Sequence, residues 1–233
     1  MRQPVIRAFF DEPTNTVSYI VADPATRQAA VIDPVLDYDP NSGEVDTRSV
    51  DAMLGVVERE NYRVVWALET HAHADHLSGS PYVKAKTGAK IGIGEHIRDV
   101  QRIFRPVFDA TDLKTDGSDF DHLFHDGERF KIGDLDAEVI YTPGHTPADI
   151  TYKIEDAAFV GDTLFMPDYG TARTDFPAAT PASSIAPSAS CWDCRRQRGC
   201  SCATTTRRRA ATSMPGKPRC AMSARTTCTS RRA

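Results

Sequence analysis

The first 176 residues contain no cysteine, and the last 57 contain no leucine, valine, phenylalanine or tyrosine. A segment so poor in large apolar side chains, with only Ile185, Trp192 and two methionines, cannot bury enough surface to offset the entropy of ordering it. A packed core after residue 177 is therefore excluded. Acidic residues are almost absent there too. Residues 177–233 hold 11 Lys+Arg and one acid, Asp193, a formal charge of +10, whereas residues 1–176 hold 17 Lys+Arg and 31 Asp+Glu, a charge of −14; the two sum to the −4 of the whole chain. All six cysteines, Cys191, Cys194, Cys200, Cys202, Cys220 and Cys228, fall in the basic part. No stretch approaches the roughly 18 apolar residues of a membrane span. Met1-Arg2-Gln3-Pro4 leads into a strand-like segment with no apolar leader region, which makes a cytoplasmic location the expectation. Two kinds of sequence meet near Phe176: a globular domain over 1–176 and a basic Cys/Arg/Ser/Thr-rich tail over 177–233.

Within the globular part, Val5–Phe10 and Thr16–Ala22 read as strands joined by an Asp11-Glu12-Pro13 turn, and a third strand stops at Pro34. Residues 37–46 are polar and turn-rich, a loop. Val50, Met53, Leu54 and Val57 recur at helical spacing behind a cap at Asp46 or Thr47. The apolar run Val64–Leu68 is a buried strand. Helices are expected from about Ser80 to Lys86 and from about Glu95 to Arg105, where Pro106 stops the second. Residues 109–126 read as an acidic surface loop. Strands then follow at 128–132, 135–141, 150–154 and 157–160. Short hairpins among them argue against a purely parallel doubly wound sheet. The fold class is α+β: two mixed sheets face to face with helices outside.

The Val64–Leu68 strand runs into Thr70-His71-Ala72-His73-Ala74-Asp75-His76-Leu77-Ser78-Gly79. Side chains two apart lie on one side of an extended chain, so His71 and His73 share a face. Asp75 and His76 follow the turn and can face the same point. Imidazole nitrogen and carboxylate oxygen suit zinc or iron, and His-x-His-x-Asp-His seldom arises from loop composition. Two more strand ends carry ligand types: His145 in Tyr141-Thr142-Pro143-Gly144-His145-Thr146, and Asp162 in Val160-Gly161-Asp162-Thr163. Each is weak alone. Together they describe ligands on rigid strands at one rim, which is how a protein preorganises a metal site. His96, His122 and His125 lack such support and read as surface or locally hydrogen-bonded.

These motifs resemble the metallo-β-lactamase superfamily, an αββα sandwich with its metal site at one edge. Within it the chain is similar to the glutathione-thiol branch of glyoxalase II and the persulfide dioxygenases. The phrases on the dioxygenase side are Ile32-Asp33-Pro34-Val35-Leu36, His73-Ala74-Asp75-His76-Leu77-Ser78-Gly79 and Arg173-Thr174-Asp175-Phe176; Gly161-Asp162-Thr163-Leu164-Phe165 is shared with glyoxalase II. The resemblance covers about residues 5–176. It implies one of two site plans. In the persulfide dioxygenase plan, a single Fe(2+) is held by His71, His145 and Asp162, while His73, Asp75 and His76 surround it, orient ligands and move protons, with Asp75 as the catalytic group. In the glyoxalase II plan, zinc ions are held by His71, His73 and His145 and by Asp75, His76 and a C-terminal histidine, with Asp162 bridging. Arg173 is implied as the anchor for a glutathione carboxylate, and the partner is a small glutathione-derived substrate. Neither a membrane nor a specific nucleic acid is implied.

The tail has competing readings. Cys191-x-x-Cys194 with Cys200-x-Cys202 could bind zinc, though the spacing is not that of a standard ribbon. Arg207-Arg208-Arg209 could centre a polyanion-binding arm of an inactive product. The reading that explains composition, charge and cysteines together is an out-of-frame tail. Shifted one base, the codons from Ala178 permit GGDARQLYRSIRQLLGLPPAERLFVCHDY, which restores an amphipathic helix and a strand. The histidine of that strand overlaps the codon of Thr204 and is the C-terminal ligand that the glyoxalase II plan needs. On this reading the second half of the fold is incomplete, with its core and a sheet edge exposed.

Overall fold

In the computed structural model the structure describes residues 3–165 and the backbone of residues 201–203. Two sheets lie face to face. The first is formed by β1 (Val5–Asp11), β2 (Thr16–Ala22), β3 (Gln28–Ile32), β6 (Arg63–Leu68), β8 (Lys90–Gly94) and β9 (His122–Phe124), in that spatial order. The pairs β1·β2 and β2·β3 are antiparallel; β3·β6, β6·β8 and β8·β9 are parallel. The second sheet runs β10 (Arg129–Ile132), β11 (Leu135–Tyr141), β12 (Ile150–Ile154), β13 (Ala157–Phe159) and β14 (Ser201–Ala203). Its pairs are antiparallel except β13·β14. Both sheets are thus mixed, as the short hairpins imply.

Strand alternation sorts the core into two layers. Ile20, Ala22, Ala29, Val31 and Ala67 face Val50, Met53 and Val57 of α1 (Arg48–Arg59) and Val83 of α2 (Ser80–Thr87). Val21, Ala30, Ile32 and Leu68 point the other way, onto Ile132, Leu135, Val139, Tyr152, Ile154 and Phe159 of the second sheet. A one-residue slip of β2 would exchange these two faces. Fully burying a side chain of this size contributes about 1.5–3 kcal/mol, so both interfaces fix the register. The central sheet is therefore clamped, and its strand ends form a rigid rim. The helix of the αββα plan that the shifted frame supplies falls outside the described residues.

Three local expectations are corrected. Residues 37–46 are not all loop: β4 (Val35–Tyr38), β5 (Val45–Asp46) and β7 (Leu77–Ser78) form a small three-stranded sheet. Strands of two to four residues have too few positions to show alternation. Residues 109–126 contain β9, whose Phe124 is buried against Trp66, Phe130 and Tyr152; a parallel edge strand needs only that one apolar anchor. Helix α3 (Ile97–Val107) includes Pro106 rather than stopping before it. In the last turn a proline removes one hydrogen bond and nothing beyond it must remain helical.

At the edge of the second sheet, β14 lies parallel to β13, with Phe159 opposite Ala203. It falls within positions 199–206, where the shifted frame reads the strand RLFVCHDY. Along those three residues the outer edge of β13 is paired rather than open.

Candidate metal centre

Three elements deliver ligand-type side chains to one rim: the loop after β6, the turn between β11 and β12, and the single 3₁₀ turn Gly161–Thr163 after β13. His71, His145 and Asp162 come together, one ligand atom of each lying within 4.8 Å of the others. His73, Asp75 and His76 form a second group by the same measure. The groups adjoin, since the His71 ring lies 4.1 Å from that of His73 and 5.3 Å from that of His145, and the His73 and His76 rings are 4.2 Å apart. All six metal-ligand candidates read from the sequence therefore meet at one place. Arg173 lies outside the described residues.

His71 is positioned by a relay that begins at Asp33. The Thr70 hydroxyl donates to Asp33 Oδ2 at 2.8 Å and lies 3.0 Å from His71 Nδ1. Its one hydrogen is used on Asp33, so Thr70 Oγ1 accepts the proton of His71 Nδ1. The Nε2 lone pair of His71 is thereby left for a metal. Burial, at 2% exposure, pushes this imidazole well below its ordinary pKa, and the neighbouring His73, His145 and His76 push it further. It is neutral at physiological pH, as a ligand must be. Asp33 itself ends β3 at φ +48°, a left-handed conformation that Asp tolerates, and its carboxylate also caps the Thr70 backbone N–H.

His73 has a different support. Its Nε2 lies 3.2 Å from both Asp33 Oδ1 and Glu69 Oε2. Burial alone would lower its pKa, but these two carboxylates outweigh burial and hold it well above its ordinary value. His76 Nδ1 lies 3.3 Å from Asp75 Oδ1 and from Thr16 Oγ1, while its Nε2 is buried with no hydrogen-bond partner in the described structure. A buried nitrogen without a partner, beside histidine and carboxylate, fits a metal. Half-exposed Asp75 is pushed up by partial desolvation, and the hydrogen bond and charge of His76 bring it below the usual carboxylate range.

His145 is fixed by the turn around it. Asp149 is 2% exposed and accepts from Thr146 N at 2.7 Å and Thr146 Oγ1 at 2.5 Å. Burial pushes the Asp149 carboxyl up to about 6, against the lowering effect of those hydrogen bonds. The turn is tied across the sandwich by Ile150 N donating to Thr70 O at 3.0 Å. His145 Nε2 sits 3.6 Å from Asp162 Oδ2. Asp162 reaches this position because Gly161 adopts φ +50° and passes so close to Thr70 that an added Cβ would stand 2.3 Å from Thr70 Oγ1. Only glycine meets both demands.

Sequence reasoning missed Asp33, Glu69, Thr70 and Asp149 as parts of the site. Their signal was weak: Asp33 stands in the Ile32-Asp33-Pro34 phrase, and the others are ordinary polar residues at strand ends. His96, His122 and His125 are each held locally, by Asp99 at 2.9 Å, Glu128 at 2.6 Å and Glu95 at 2.7 Å. A cleft lined by Phe9, Phe10, Asp11, Ser18, Val35 and Ser49 has no histidine in its wall and offers no ligand set.

The geometry has known counterparts. Residues 11–197 match the metallo-beta-lactamase superfamily. The chain is 52% identical over 177 residues, 76% of its length, to a beta-lactamase hydrolase-like protein of Agrobacterium fabrum, covering 41% of that protein. Over 175 residues it is 46% identical to glyoxylase B2 of Dictyostelium discoideum (74% of this chain, 60% of that one). Against the human mitochondrial persulfide dioxygenase ETHE1 the identity is 29% over 174 residues (74% and 56%). The crystal structure of ETHE1 from Myxococcus xanthus superposes with a TM-score of 0.61 at 28% identity, covering 78% of this chain and 67% of that one. The chain thus spans 41–60% of the length of these curated relatives. Its two-sheet architecture, its histidine rim and these matches lead to one conclusion: the chain belongs to the metallo-β-lactamase superfamily.

Proposed function

We propose that the chain is a mononuclear iron enzyme similar to persulfide dioxygenases, acting on glutathione persulfide, with His71, His145 and Asp162 as its metal ligands. The observation that carries this reading is the convergence of those three side chains, contributed by three separate elements, at one point. Two histidines and a carboxylate would hold an iron able to take up a substrate sulfur and dioxygen. The chain's own residues supply orientation and proton control. The Asp33–Thr70 relay keeps the His71 proton on Nδ1 and aims Nε2 at the ion. Asp149 stiffens the His145 turn, and Gly161 lets Asp162 approach. Asp75, half-exposed beside His76, is the group placed to take a proton from the incoming thiol-type substrate and return it. Arg173 is proposed to anchor a glutathione carboxylate through its planar fork of donors. The setting is proposed to be cytoplasmic; among the described residues no helix is long and apolar enough to cross a membrane.

A second reading, a glyoxalase II-like zinc hydrolase of glutathione thioesters, draws on two observations. One is the buried, partnerless His76 Nε2 in a second ligand group. The other is the 46% identity to glyoxylase B2. In that reading His71, His73, His145, Asp75, His76 and Asp162 would hold zinc ions that could activate water for attack on the thioester, and the second ion would need a further ligand beyond the described residues. Metal content and substrate use separate the two. The favoured reading expects iron in the purified chain and oxygen uptake with glutathione persulfide. Zinc, thioester cleavage and no oxygen uptake would contradict it.

A further inference from the structure

A carboxylate buried at the end of β6 does not belong to either ligand plan. Glu69 is 3% exposed. Its backbone is pinned on both sides, with Glu69 N donating to Gly92 O at 2.9 Å and Tyr152 OH donating to Glu69 O at 3.0 Å. Its side chain therefore has one direction to go, under the loop of residues 70–79. There Oε1 accepts from both Ser78 Oγ and Ser80 Oγ. The other oxygen, Oε2, lies 3.2 Å from His73 Nε2 as an ion pair and has no hydrogen-bond partner in the described structure.

Taking a carboxylate out of water costs several kcal/mol, and an apolar side chain of similar size at such a place would cost nothing of the kind. A Glu here is consequently better accounted for by what it does to its neighbours than by stability. It does two things at once. It fastens the exit of the loop, Ser78 and Ser80, to the strand that enters it. It also sets a negative charge beside His73 Nε2, the nitrogen that hydrogen-bonds Asp33 Oδ1 at 3.2 Å, so that the two carboxylates together favour a proton there and leave Nδ1 for the metal side.

We propose that Glu69 is a positioning residue: it acts through His73, holding the imidazole from behind with its proton on Nε2, and through Ser78 and Ser80 it closes the base of the metal loop. The inference concerns the His73 ring and not the identity or number of the ions, so it stands apart from the choice between iron and zinc.

The test uses the full chain as purified and after loading with Co(2+), alongside Glu69→Gln and Ser78→Ala. Glutamine keeps an oxygen for the two serines and turns an N–H donor toward His73. Ring nitrogen and proton resonances of His73, assigned by their loss in His73→Ala, report which nitrogen is protonated. The wild type is expected to hold the proton on Nε2. Glu69→Gln should shift that resonance; cobalt binding should weaken about 10–100-fold where His73 is itself a ligand, and hold where the ion rests on His71, His145 and Asp162 alone. Ser78→Ala should leave the His73 resonance in place while amide exchange in residues 70–79 accelerates. A wild-type His73 protonated on Nδ1 alone overturns the proposal, whether or not the glutamine variant folds. So does a Glu69→Gln chain whose His73 resonance matches the wild type, or a Ser78→Ala chain that shifts it as much as Glu69→Gln does.

Discussion

The two ligand groups at the rim are built in opposite ways. His71, His145 and Asp162 come from three places in the chain, each held by its own brace: the Thr70–Asp33 relay, the Asp149 turn and the Gly161 approach. His73, Asp75 and His76 come from four consecutive residues of a single loop. The first group is thus fixed at three points of the two sheets, while the second rides on one loop that Asp33 braces at His73 and Thr16 at His76. Position set by long-range packing resists change until the fold itself gives way. Position set by a loop can be altered by a single hydrogen bond. The first group is suited to hold an ion and the second to tune it or move protons, and this division underlies the mononuclear reading.

The largest effect should follow from breaking the first group. Asp162→Ala is expected to remove the bound metal and lower turnover about a thousandfold or more, since several kcal/mol of charge stabilisation go with the ion; metal analysis and an oxygen electrode read both. Gly161→Ala tests the same group through the backbone. A methyl group there meets Thr70 at φ +50°, so about 1–3 kcal/mol of stability should be lost, and thermal unfolding with metal content should register it. For the second group, Asp75→Asn keeps the shape of the loop and removes the carboxylate. About a hundredfold loss of turnover is expected from the missing proton transfer, with metal content unchanged. A loss of metal along with activity would move Asp75 into the ligand set. The smallest effect belongs to Tyr152→Phe. Its hydroxyl donates to Glu69 O at 3.0 Å in the core between the sheets, so about 1 kcal/mol should go with both groups intact.

What could be read from the sequence follows the same division. His71, His73, Asp75 and His76 announce themselves by spacing, and the strands that carry them are marked by apolar runs such as Val64–Leu68. His145 and Asp162 are legible only because each ends a strand, and their meeting with His71 is a fact of topology that no local pattern contains. Glu69 and Asp149 escape altogether, because a buried carboxylate and a surface one look alike until the partners are known. The small strands β4, β5, β7 and β9 escape for a related reason. Their stability lies in pairing with distant residues, as in Val35 opposite Ser78 and Ile93 opposite Leu123, and not in their own composition. The tail is the reverse case. Its lack of leucine, valine, phenylalanine and tyrosine is plain in the sequence, and the proposal that residues 177–233 are read out of frame is decided by the nucleotide sequence across codon 177.

The central claim is that one ion sits on His71, His145 and Asp162, with the other three residues around it. Native mass spectrometry of the purified chain and its His76→Ala variant tests this most directly. The account predicts one metal ion per chain in both. Two ions in the wild type, falling to one in His76→Ala, would contradict it and establish the two-metal plan instead.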